Sequence, residues 1–106
     1  MQLALYQVNS DRDSYDIIFR CADYALLVCD GVIPRECYDC VFDGEVPGAE
    51  NLEQVFEVFN LSHPKGYRGR SLSVSDVVEV KSDNGESKYF YCDFVGFREV
   101  VFRKDR

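Results

Sequence analysis

A chain of 106 residues with 46% hydrophobic and 14% aromatic residues has the length of one domain and the apolar mass for a modest core, which excludes a disordered segment. The net charge of −7 is uneven: residues 1–60 carry twelve Asp and Glu against three Arg, and residues 61–106 carry seven acids against nine bases. That division excludes non-specific phosphate binding by the first half, because such binding depends on cationic neutralisation.

The start Met1-Gln2-Leu3-Ala4-Leu5 has no basic flank and too short an apolar run for a secretory signal or a membrane span. Five cysteines, an odd number, then point to reduced thiols and a cytoplasmic setting. Gln2 to Val8 alternates loosely and reads as a first strand, followed by turn and cap residues at Asn9-Ser10-Asp11. From Asp13 to Cys29, Ile17, Ile18, Cys21, Tyr24, Ala25 and Val28 keep helical spacing, and Gly31 offers a left-handed stop. Tyr38 to Phe42 reads as a short strand. Asp43-Gly44 and Pro47-Gly48 punctuate a loop. Asn51 can cap a helix over Leu52–Phe59, with Leu52, Val55, Phe56 and Phe59 on one stripe.

A loop from Asn60 to Gly69 leads to the string Ser71-Leu72-Ser73-Val74-Ser75-Asp76-Val77-Val78. Ser and Asp side chains bond nearby backbone groups and favour turns, so Ser71–Ser75 reads as a self-bonded lead into a core strand that ends near Lys81. Ser82-Asp83-Asn84-Gly85-Glu86 reads as a hairpin turn, with Asn-Gly supplying positive φ. Ser87–Val95 returns as a strand, with Tyr89, Tyr91 and Asp93 on one face and Phe90, Cys92 and Phe94 on the other. Gly96-Phe97 marks a bend before a last strand over Glu99–Phe102. The expected fold is α+β, one domain over 1–106: a small, mainly antiparallel sheet with this C-terminal hairpin at its centre and two helices on one face.

Several constellations carry possible chemistry. Cys37-Tyr38-Asp39-Cys40 has C-x-x-C spacing, but a zinc site needs four ligands and the chain has one His and no second pair. The two thiols read as small apolar fillers. His63 with the serines and Asp76 lacks the G-x-S-x-G nucleophile elbow. No catalytic residue, metal site or cofactor is therefore assigned, and the chain reads as a non-enzyme. Lys65, Tyr67, Arg68 and Arg70 form one basic and aromatic cluster, suited to a nucleic acid or nucleotide. The acids Asp11, Asp13, Asp16, Asp23, Asp39, Asp43, Glu45, Glu50, Glu53 and Glu57 form the other candidate surface. Such carboxylates can occupy a protein groove built for nucleic-acid phosphate, or can simply be a solvated face.

Leu52-Glu53, Phe59-Asn60, Pro64, Gly69, Ser71 to Val78, Tyr91-Cys92-Asp93, Gly96-Phe97 and Glu99-Val100 together resemble the YodL-like domain, with Tyr38 and Val41 fitting its preceding strand. The resemblance runs from about Tyr38 to Phe102. It also implies a break in the first helix near Phe19 or Arg20. Phe94 stands where the pattern often has Ser, and Arg70 where His is common. The resemblance implies an accessory protein of a mobile element or phage. On that reading the acidic surface would bind a protein partner, and the chain would inhibit a host defence nuclease of antirestriction or anti-CRISPR type. The alternative is a nucleic-acid- or nucleotide-binding module built on the basic loop.

Overall fold

Gln2–Val8 forms strand β1, and six of its seven residues are buried. Ala4, Tyr6 and Val8 enter one apolar core while Leu3 and Leu5 enter another. Alternate residues of a strand face opposite sides, so β1 is covered on both faces. The computed structural model describes residues 1–61, 67 and 69–104.

The order along the chain is β1, a 3-10 turn at Ser10–Arg12, helix α1 (Ala22–Val28), β2 (Val32–Pro34), a second 3-10 turn at Arg35–Cys37, β3 (Tyr38–Glu45), helix α2 (Leu52–Leu61), β4 (Val77–Lys81), β5 (Ser87–Cys92) and β6 (Phe97–Arg103). Among the described residues the strands make one six-stranded sheet in the order β2-β6-β5-β4-β1-β3. Every neighbouring pair is antiparallel except β2 beside β6. The fold is α+β with a mixed, mostly antiparallel sheet, and β5 and β4 hold its third and fourth places.

The two helices do not share a face. Ala22 and Ala25 of α1 pack with Tyr6, Val77, Tyr91 and Phe102, whereas Val55 and Phe59 of α2 pack with Leu5, Val78 and Cys92. Val77 and Val78, like Tyr91 and Cys92, are strand neighbours whose side chains leave in opposite directions. The sheet is thus sandwiched, and the near-continuous burial of β1 is the mark of a strand covered on both sides.

The first helix is also shorter than its spacing predicts. Both carboxylate oxygens of Asp13 accept backbone N–H groups, from Ile17 and Ile18, each at 3.0 Å. That side chain competes with the helical ladder, and Asp16 (φ 57°) and Phe19 (φ 61°) then take left-handed backbone that no α-helix contains. Ile17 still reaches the core, so the apolar spacing is met by an irregular segment. The helix that does form has its first-turn Ala22 N–H capped at 3.2 Å by Asp93 Oδ1, from the turn after β5. It ends where Gly31 (φ 85°) donates its N–H to Leu26 O at 2.8 Å, as predicted for this glycine.

The hairpin between β4 and β5 closes through Gly85 N–H to Ser82 O at 3.1 Å and Ser82 N–H to Glu86 O at 2.9 Å. In this loop only Gly85 has positive φ, at 86°, so the Asn-Gly pair does not build a two-residue turn with both residues left-handed. Asn84 instead accepts the N–H of Glu86 at 3.0 Å through its side chain. The strand expected over Ser87–Val95 stops at Cys92, because Asp93 N–H turns to Gly96 O at 3.0 Å and Gly96 takes φ 71°. Phe94 is thereby carried out of the sheet.

Candidate functional site

The serine string is locked from behind by one carboxylate. Asp76 is fully buried. Its Oδ2 accepts the backbone N–H of Ser73 at 2.8 Å and Gln7 Nε2 at 3.0 Å. Its Oδ1 accepts the Arg70 guanidinium at 2.9 Å. Its own N–H returns to Ser73 O at 3.1 Å, closing a tight turn. Loss of water pushes the Asp76 carboxyl up to about 6, against the opposing pull of Arg70, Ser73 and Gln7. Ser73 Oγ donates to Ser71 O at 3.0 Å, as expected for a self-bonded turn.

Gln7 is the second lock. Its side-chain amide pairs with the backbone of Arg70, accepting the N–H at 3.1 Å and donating to the carbonyl at 2.9 Å. It also donates to the Tyr67 hydroxyl at 3.1 Å. A Cβ at Gly69 would lie 2.5 Å from Gln7 Oε1 and 2.7 Å from the Tyr67 hydroxyl, so a side chain there would have to displace these two groups. Of the predicted basic cluster, Tyr67 and Arg70 are therefore turned toward Asp76 and Gln7. Lys65 and Arg68 lie outside the described residues, as does His63.

Ser75 ties the string to the α1 side. At φ 83° it donates its N–H to Cys92 O at 2.9 Å, while its carbonyl accepts the Tyr38 hydroxyl at 2.6 Å. Its Oγ accepts the N–H of Phe19 at 3.0 Å. The Phe19 ring lies under the Arg70 guanidinium, 5.2 Å from its centroid, yet the residue is 52% exposed.

In front of these locks runs an open groove. Leu72, Ser73 and Val74, Phe56 of α2, Phe94 and Phe19 line it, around a volume of about 360 Å³. A second hollow of about 310 Å³ continues past Phe56, Cys92, Asp93 and Phe94 to Glu53 and Glu57. Phe56 is 40% and Phe94 70% exposed. Neither Phe19, Phe56 nor Phe94 was picked out by sequence reasoning as a surface residue. The usable signal was Phe94 itself, an aromatic at a position where the family pattern favours Ser.

The ten candidate acids do not form one surface of equal members. Five are in ion pairs: Asp16 with Arg20 at 3.0 Å, Asp43 with Lys81 at 2.6 Å, Glu45 with the Met1 amino group at 2.9 Å, Asp39 with Arg12 and Asp23 with Arg98. Arg12 and Asn9 together hold the Asp39 carboxyl below its ordinary range. Asp13 is spent on backbone N–H groups. Among the described residues, Asp11, Glu50, Glu53 and Glu57 form no ion pair. Three of these four belong to α2 or the turn before it, and Glu53 and Glu57 are exposed one helical turn apart on either side of Phe56.

Cys37 is buried and Cys40 is exposed, so the C-x-x-C thiols point to different environments, and burial pushes the Cys37 thiol up. Among the described residues no group of three or more His, Cys, Asp or Glu is placed to hold a metal ion. None of their helices is long and apolar enough to cross a membrane.

The buried Asp76 that fixes the serine-rich turn lies within the stretch that a known family covers. The YodL-like domain model matches residues 2–102, and the chain belongs to that family. The match begins at β1, well before the Tyr38 at which the resemblance was first legible. Its reach agrees with the geometry, since Gln7 and Phe19 both hold the serine string. No curated protein and no solved structure matches the chain.

Proposed function

We propose that this member of the YodL-like family is a non-enzymatic accessory protein of a mobile genetic element or phage. On this reading it acts by binding a protein partner through its acidic surface. The partner is a nucleic-acid-processing effector of host defence, of restriction or CRISPR type, whose cationic groove the carboxylates occupy. The observation that carries the reading is exposed Glu53 and Glu57 beside exposed Phe56 on α2, with exposed Glu50 just before the helix, charges with no ion-pair partner among the described residues. Charged residues already paired within the chain have less to offer a partner. The alternative, a nucleic-acid module on Lys65, Tyr67, Arg68 and Arg70, has less support, because Arg70 is committed to Asp76 and Tyr67 to Gln7.

The test is inhibition of purified restriction and CRISPR nucleases by the wild-type chain and by a variant carrying Asp11→Lys, Glu50→Lys, Glu53→Lys and Glu57→Lys. Inhibition of one effector that is lost in the variant, with the fold retained by circular dichroism, supports the reading. Inhibition that survives all four reversals removes the acidic surface from it. Salt-sensitive binding of the chain to DNA or RNA alone would favour the alternative.

A further inference from the structure

We infer that the trough between α2 and the β5–β6 turn is a docking site for a short basic segment of a protein, two adjacent bulky apolar side chains flanked by Lys or Arg. The inference rests on the partner-binding reading above and narrows it to one place and one ligand chemistry.

Three features of the trough define the occupant. Its lining is largely apolar: Cys92 is buried, while Phe56 and Phe94 are much exposed to water. Its two hollows, about 310 and about 360 Å³, share Phe56, Cys92, Asp93 and Phe94, so they are one trough with two seats. Each seat lies at the small end of the roughly 300–1,000 Å³ found for ligand clefts, the scale of a few side chains. Its lining is anionic through Glu53 and Glu57, one helical turn apart and exposed, whereas Asp93, also in the lining, has Oδ1 bonded to the N–H groups of Ala22 and Phe94.

Charge complementarity then selects among occupants. A nucleic acid or an anionic membrane would be repelled by these carboxylates. A second copy of this chain would bring two acidic linings together at a net charge of −7 per copy. A segment with an aromatic and a leucine side chain for the two seats, and cations on both sides of them for the glutamates, satisfies both the apolar and the anionic parts of the lining. Proteins that handle nucleic acid are rich in such segments by the chemistry of phosphate binding. The trough is also held in shape: Leu72–Val74 of its lining are braced by Asp76, and Phe19 is fixed by Ser75.

The experiment is a two-dimensional NMR titration of the full chain with a synthetic octapeptide, Gly-Lys-Arg-Phe-Leu-Arg-Lys-Gly. Two control peptides replace either Phe-Leu by Gly-Gly or all four cations by Glu. The inference expects amide shifts at Phe19, Phe56, Phe94 and Phe97 with the first peptide and none there with either control. It expects affinity to fall about tenfold or more in Phe94→Ser and in Glu53→Lys with Glu57→Lys, at an unchanged melting curve. Equal binding of the Gly-Gly control, shifts outside the trough, or a dimer by light scattering would overturn it. The failure modes separate. Peptide binding that ignores Phe94 sinks the trough, while nuclease inhibition still lost in the four-acid variant leaves the partner reading standing.

Discussion

The backbone N–H of Phe19 donates to Ser75 Oγ at 3.0 Å, and both residues sit in left-handed backbone, at φ 61° and 83°. Non-glycine residues are disfavoured there by roughly 1–2 kcal/mol each. The bond joins two segments 56 residues apart in sequence, and it holds an exposed aromatic residue in the lining of the groove. Ser75→Ala removes the acceptor and leaves the Phe19 N–H unpaired at a partly buried place, so a loss of about 1–3 kcal/mol is expected in urea unfolding. Ser75→Gly loses the same acceptor but relieves its own positive φ, and should be the milder of the two. The reverse order would mean that the positive φ at Ser75 stores little strain.

Phe19→Gly isolates the other side of that bond. It keeps the N–H donor, releases the strain at φ 61° and deletes only a ring that is 52% exposed. Stability within about 1 kcal/mol of wild type is expected from the offset between relieved strain and glycine's larger unfolded-state freedom. Peptide binding in the groove should nevertheless weaken, as read in the same NMR titration. A large loss of stability would show that Phe19 is a packing residue instead.

Asp76 predicts an unusual pH dependence. Its folded carboxyl is raised to about 6, above the roughly 3.9 of an unfolded chain, because burial penalises its charge. The folded state therefore binds more protons than the unfolded state between about pH 4 and pH 6. Stability from this group falls as pH rises through that window, by roughly 3 kcal/mol in total, and is fully lost above it. Asp76→Asn presents an NH₂ to surroundings that are all donors, Arg70, Ser73 N–H and Gln7 Nε2. It should destabilise the protein by about 2–3 kcal/mol and abolish this slope. Unfolding midpoints from pH 4.5 to 7.5 for both chains give the difference directly. A carboxyl carbon titration near 4 for Asp76 would contradict the account.

Arg70→Ala tests the pair from the cationic side. At pH 7 it leaves a buried carboxylate without its counter-ion, an effect of several kcal/mol for a fully buried pair and less here because Arg70 is 34% exposed. The loss should shrink at pH 4.5, where Asp76 is largely protonated. A loss equal at both pH values would point to the stacking of Arg70 on Phe19 as the main contribution.

How much of this was legible in the sequence follows from the range of the forces involved. β1, β4, the place of the hairpin loop and α2 are set by local alternation, turn residues and an apolar stripe and are legible, although Asn84 does not take the expected positive φ and Phe56, expected on the stripe, is exposed. The start of α1 was not, since the Asp13 carboxylate captures the N–H groups of Ile17 and Ile18 while the apolar spacing stays intact. The helices were assigned to one face although Leu3 and Leu5 alternate with Ala4 and Tyr6, a pattern apolar on both faces. For the site, the ten acids were readable as composition. Which of them are neutralised depends on Arg12, Lys81 and Arg98, whose partners are 27, 38 and 75 residues away. The groove was invisible for the same reason, since it brings together residues 19, 56, 72–74 and 92–94.

The α1 helix supplies the last prediction, because its cap is borrowed. Cys21 precedes the helix without a side-chain cap bond, and the Ala22 N–H is satisfied instead by Asp93 Oδ1, which also holds the N–H of Phe94. One carboxylate oxygen thus fixes both the start of a helix of seven residues and the turn that presents Phe94 to the groove. A helix so short has little stability of its own. Asp93→Ala should cost about 1–2 kcal/mol, the upper part of the range for a lost cap, since two donors lose their acceptor. Asp93→Asn keeps an oxygen for them and should recover most of that loss. Amide exchange sharpens the test: protection should fall at Ala25 and Leu26 and at Phe94 together in the alanine variant, while β1 and β4 keep theirs. Loss of protection confined to Phe94 would show that α1 is held by its apolar face and not by this carboxylate.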